Sequence, residues 1–191
     1  MKQGELTRNK IIASCNELFY QYGFYRTAFS DIVKATGLSK GNITYHFKTK
    51  DDILVAVFEL RKKVIKKMLT SWQHEFSNAE ARLNHFISSL ISGKQKLIKF
   101  GCPNGSMAYE LGKFESNISE LSKSVFEIIQ QWLSLQFQSL GYDVAQSNNK
   151  AIELYTRAQG LSVLAQAYRD DSFFEDQIEQ LRKLINKHPN L

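Results

Sequence analysis

The chain has 191 residues, 43% of them hydrophobic and 23% charged, with only two prolines. That apolar fraction is too high for a disordered chain, no run approaches the ~18 consecutive apolar residues of a membrane span, and Cys15 and Cys102 cannot build a disulfide scaffold. The net charge of +6 is uneven: residues 1–50 carry eight basic and three acidic groups, and the other 141 residues balance to +1, so the field that draws polyanions sits in the first quarter.

Met1-Lys2-Gln3-Gly4-Glu5 leads into no signal-peptide core, so a cytoplasmic protein with no membrane partner is expected. From Thr7 to Tyr22, the residues Ile11, Ile12, Cys15, Leu18, Phe19 and Tyr22 fall on one helical stripe, with Thr7 as N-cap and Gly23 just past the end. Short helices follow over about 30–36, closed by Gly37, and over 40–47, capped by Ser39. Thr49-Lys50-Asp51-Asp52 has capping-box spacing and opens a long helix to about Phe76. Further caps are expected at Ser77…Glu80, Asn117…Glu120 and Ser172…Glu175, each ahead of a periodic apolar run. Gly101-Cys102-Pro103-Asn104-Gly105 punctuates the middle and leads into a short helix ending near Gly112. The residues from Asn148 to Tyr168 are also helical in pattern. About nine helices and no strand are expected, an all-α fold. Its N-terminal helix-turn-helix domain, 1–50, continues into a connecting helix, 50–76, and a second domain occupies 77–191.

The window from Phe29 to Phe47 holds two helices of about two turns joined at Gly37-Leu38-Ser39. Ile32, Val33, Leu38, Ile43 and Phe47 can wedge the pair against the first helix. The outer face of the second helix, with Lys40, Asn42, Thr44, Tyr45 and His46, is too polar for a core. In a helix-turn-helix the second helix enters the major groove with its N-terminal residues on base edges. There Lys pairs with guanine and Asn with adenine, while hydroxyls suit phosphates. Two short helices of any small bundle, with a solvated outer face, give the same pattern.

The run from Thr7 through Leu54 resembles the DNA-binding domain of the TetR/AcrR family of transcriptional repressors. The resemblance rests on Leu18-Phe19, Tyr22-Gly23-Phe24 and Thr27, then Asp31 through Gly41, then Tyr45-His46-Phe47 and Lys50 through Leu54. Where the family usually carries an aromatic, this chain has Thr44. The resemblance implies that Thr27 and Lys50 sit at helix starts facing phosphates. It also implies that Ser39, Lys40, Asn42, Thr44, Tyr45 and His46 line the recognition surface, and that Gly41 permits close backbone approach. Phe47 is read as a core wedge rather than a contact. The implied function is that of a repressor released from a palindromic double-stranded DNA operator by a small-molecule effector.

The resemblance further implies an effector pocket in the C-terminal body, for which Trp72, Phe86, Cys102, Met107, Phe126, Ile129 and Tyr155 are candidates; ordinary core packing is the competing reading. The last two helices are implied to form a homodimer, with small residues Ala158, Gly160, Ala165 and Ala167 allowing close approach. Cys102, ahead of a helix start and near Lys99, has surroundings that favour thiolate, so redox or electrophile sensing is an alternative trigger. A helical interaction module without DNA reading is a second alternative. None of the four histidines has metal-ligand spacing, and no nucleophile elbow or phosphate-cradling loop is present. No enzymatic activity, metal or cofactor is therefore expected.

Overall fold

The computed structural model describes residues 3–113 and 119–185. Among these, ten helices form and no strand: α1 (Gln3–Tyr22), α2 (Phe29–Thr36), α3 (Lys40–His46), α4 (Lys50–Glu75), α5 (Ala79–Ser92), α6 (Lys94–Phe100), α7 (Pro103–Leu111), α8 (Ser119–Ser139), α9 (Val144–Tyr168) and α10 (Asp171–Ile185). No helix of the described residues is long and apolar enough to cross a membrane.

The chain divides into two compact units, Met1–Val64 with Ser106–Val125, and Ile65–Gly105 with Phe126–Leu191. The expected boundary at 76/77 is contiguous, whereas these units interleave. Helices α4, α7 and α8 each continue from one unit into the other.

In the first unit, Ile11, Cys15 and Phe19 of α1 are buried, as are Ile32, Ile43, Phe47, Ile53, Leu54, Val57 and Phe58. Arg61 of α4 donates from Nε to the Asn16 Oδ1 of α1 at 2.8 Å. Cys15 is fully buried, and loss of solvent pushes its thiol up to about 12, so it stays neutral and packs as a small hydrophobe. In the second unit α10 packs on α9 and α5, and α6 packs on α9. Phe174, Ile178, Leu181 and Ile185 bury one face of α10, while Leu154, Ala158, Leu161 and Ala165 bury one face of α9.

Several helix starts differ from the expected ones. Helix α1 begins at Gln3, and the Thr7 hydroxyl donates to the Gln3 carbonyl inside the helix. Asn78, not Ser77, caps α5 by accepting from the Ala81 N–H. Asp170, not Ser172, caps α10, accepting from the backbone N–H groups of Ser172 and Phe173. Helix α9 starts four residues before Asn148, where Asp143 and Gln146 form a reciprocal capping box. Helix α6 leaves no clear pattern in the sequence, because three lysines in seven residues mask its only buried position, Leu97. Asn117 lies outside the described residues.

Candidate nucleic-acid interface and effector region

Helix α3 has seven residues, too few to persist alone in water. Three local devices and two anchors hold it. Gly37 takes φ 66°, a left-handed turn that costs glycine little, and closes α2. Ser39 accepts the Asn42 N–H at 3.2 Å, and the Phe47 N–H returns to the Ile43 carbonyl. Ile43 is fully buried and Phe47 is 4% exposed. One helical turn apart on the inner face, each contributes on the order of 1.5–3 kcal/mol of burial. The Arg8 guanidinium covers the Phe47 ring at 4.8 Å.

The other face is open. Ser39, Lys40, Gly41 and Asn42 are exposed, Thr44 and His46 are half-exposed, and Tyr45 is 78% exposed. Tyr45 and His46 meet edge to face at 5.1 Å. The Thr44 hydroxyl donates to the Lys40 carbonyl at 3.0 Å, back along its own helix. No acid sits in the first turn of α3, and Lys34, Lys40 and Lys48 are exposed around it. The expected recognition residues are thus gathered on one surface.

Thr27 and Lys50 are placed otherwise. Thr27 is 1% exposed, and its hydroxyl donates to the Gly23 carbonyl at 2.6 Å. The Lys50 ammonium donates to the carbonyls of Phe24 and Thr27 at 2.8 and 3.0 Å and lies 4.3 Å from the Phe24 ring centre. Burial lowers the Lys50 pKa, while the charges of Asp51 and Glu110 oppose that shift. Both side chains brace the loop between α1 and α2 instead of facing outward. The residue that sequence reasoning missed is Glu110 of α7. Its carboxylate accepts the N–H groups of Phe24 and Tyr25 at 2.9 and 2.7 Å. No local signal marks it, because its partners lie some 85 residues away in the chain.

The candidate effector residues form no single group. Phe86 and Phe126 both approach the Tyr155 ring, at 6.4 and 5.9 Å between centres. Burial, then the neighbouring Cys102 charge, pushes the Tyr155 hydroxyl above its ordinary range. Cys102 is half-buried, and its sulfur accepts the Gly105 N–H at 3.4 Å at the start of α7. Trp72 packs instead on His85 and Trp132. Ile129 is buried on α8, and Met107 is buried in the first unit. Among the described residues no group of His, Cys, Asp or Glu could hold a metal ion.

The model of bacterial regulatory proteins of the tetR family matches residues 11–57, from the middle of α1 into the first two turns of α4. An uncharacterized HTH-type transcriptional regulator in the lacX 3'region of Lactococcus lactis subsp. lactis is 25% identical over 184 residues, 95% of this chain and 94% of that one. The HTH-type transcriptional regulator AcrR of Shigella flexneri is 32% identical over 75 residues, 39% of this chain and 35% of that protein. The crystal structure of a TetR transcriptional regulator from Legionella pneumophila is 25% identical and superposes with a TM-score of 0.82 over 91% of this chain and 94% of that one.

Proposed function

We infer that the chain is a member of the TetR/AcrR family of bacterial regulators and that it is a DNA-binding transcriptional repressor released from its operator by a small-molecule effector. The observation that carries this reading is the two-faced α3, with Ile43 and Phe47 buried beneath and Lys40, Asn42 and Tyr45 turned to solvent. A helix of that size and polarity fits a major groove. Lys40 and Asn42 supply donors for base edges, Ser39, Thr44, Tyr45 and His46 flank them, and Gly41 keeps the backbone close to the duplex. Thr27 and Lys50 serve the same surface indirectly, by shaping the loop that leads into α2. A DNA ligand places the working compartment in the cytoplasm.

Two copies reading one inverted repeat require a dimer, and α9 offers the surface for it. Ile152, Thr156, Gly160, Val163, Leu164, Ala167 and Tyr168 are exposed along one side of α9, interleaved with the Glu153–Arg157 ion pair. Ala158 and Ala165, also expected at that interface, are buried within the subunit. The outer face of α10 carries Glu175, Asp176, Glu179 and Lys183 and would form a polar rim.

The effector is assigned to the second unit, where Phe86, Phe126, Tyr155 and Cys102 converge. A ligand there lowers operator affinity only by binding the DNA-incompetent arrangement more tightly than the competent one. The test is selection from random duplexes by the purified protein, which should return an inverted repeat. Asn42→Ala combined with Tyr45→Phe should abolish retention of that repeat in a gel shift while leaving the dimer intact. Unaltered retention would overturn the assignment.

A further inference from the structure

We propose that Glu110 is a positioning residue for DNA reading: from outside the helix-turn-helix it holds the loop on which α2 and the recognition helix are mounted. The inference rests on the DNA-reading function proposed above.

The argument starts at Gly23. Its φ of 85° turns the chain left-handed at the end of α1, and the next two N–H groups, of Phe24 and Tyr25, converge on one point. Successive backbone N–H groups arranged this way make a concavity for an anion. Here the anion is internal. Both Glu110 oxygens are used, one per N–H, at 2.9 and 2.7 Å. A side chain at position 23 would place its Cβ only 2.9 Å from the Glu110 Oε2, so the site needs the glycine twice, for its φ and for its space.

The same loop is gripped by an opposite charge. Lys50 takes the carbonyls of Phe24 and Thr27, so Phe24 is held by a carboxylate at its N–H and by an ammonium at its C=O. The Thr27 hydroxyl closes the loop onto the Gly23 carbonyl. Hydrogen bonds to ionised groups are the short, strong kind, and four of them act on three residues, Phe24, Tyr25 and Thr27. Ala28 follows immediately as the first residue before α2, and α2 packs on α3. The shape of this loop therefore sets where α3 stands.

Of the two clamps, Lys50 belongs to the helix that directly follows the reader, whereas Glu110 arrives on α7. That helix begins at Pro103, in the other compact unit, and ends one residue after Glu110. A turn or axial slide of α7 withdraws the carboxylate, leaves two amides without their acceptor and frees the loop. Glu110 thus influences operator affinity without touching DNA.

The experiment uses the full-length dimer and the duplex it selects. Glu110→Ala should weaken binding of that duplex about tenfold or more, the loss of two charge-assisted bonds. Glu110→Gln, an isostere that keeps one acceptor oxygen, should lose less, and Glu110→Asp, one methylene short of the loop, should behave like Ala. Hydrogen exchange at the Phe24 and Tyr25 amides should accelerate in the Ala variant while Ile43 and Phe47 keep their protection, which a general loss of stability would not produce. Wild-type affinity in both Glu110→Ala and Glu110→Gln would overturn the role of Glu110 and leave DNA reading intact. A wild-type protein that selects no duplex would overturn DNA reading itself.

Discussion

Helices α3 and α9 are both half-embedded, and they show opposite chemistry to solvent. The seven-residue α3 buries Ile43 and exposes Lys40, Asn42 and Tyr45, whereas the 25-residue α9 exposes Ile152, Val163, Leu164 and Tyr168. Water solvates the first surface well and the second poorly. A cationic, donor-rich face gains from meeting phosphates and base edges, where counterions are released. An apolar stripe on a long helix gains only from another apolar surface. The reading proposed above uses this contrast: it gives DNA to α3 and a second copy of the chain to α9.

The sharpest way to break this contrast is to give α9 the chemistry of a solvated face. Val163→Asp with Leu164→Asp should dissociate the dimer, read by sedimentation. It should also cost operator binding about 10²–10⁴-fold, because two linked readers become two independent ones. A double variant that remains dimeric would remove α9 from the interface. A smaller effect follows on the polar side. Lys40→Ala should reduce the slope of log affinity against log salt by about one per subunit if Lys40 neutralises a phosphate, read by titration from low to moderate salt. An unchanged slope with lost sequence preference would instead place Lys40 on a base. The smallest effect concerns the inner face of α3. Ile43→Val removes one buried methyl group and should lower stability by about 0.5–1.5 kcal/mol in thermal unfolding, without altering the salt slope.

The reader was largely legible in the chain because its determinants are local. Ser39 reaches Asn42, Gly37 turns after Thr36, and Ile43 and Phe47 lie one turn apart, all within a few residues. The same locality explains the capping box at Thr49 and Asp52, which forms with both expected bonds. The caps stand one or two residues from the expected positions where cap-forming side chains adjoin, as at Ser77-Asn78 and Asp170-Asp171-Ser172. Any of them can accept a helix N–H, and the direction of chain entry selects one. Thr27 and Lys50 differ from expectation for another reason. A hydroxyl and an ammonium near helix starts suit phosphate in a one-dimensional reading, but the loop between α1 and α2 folds over both and supplies backbone carbonyls.

What the amino-acid order determined by itself is most of the helices (α6 excepted), the uneven charge and the polar outer face of α3, since these follow from periodicity and from hydrogen bonds spanning three or four residues. What only the tertiary structure decided is partnership over distance. It brings Glu110 to the amides of Phe24 and Tyr25, sends Trp72 to His85 and Trp132 instead of to Tyr155, and draws Ser106–Val125 into the first unit. A carboxylate or a ring carries no local mark of its eventual neighbour; packing chooses that neighbour when separate helices close on a common core.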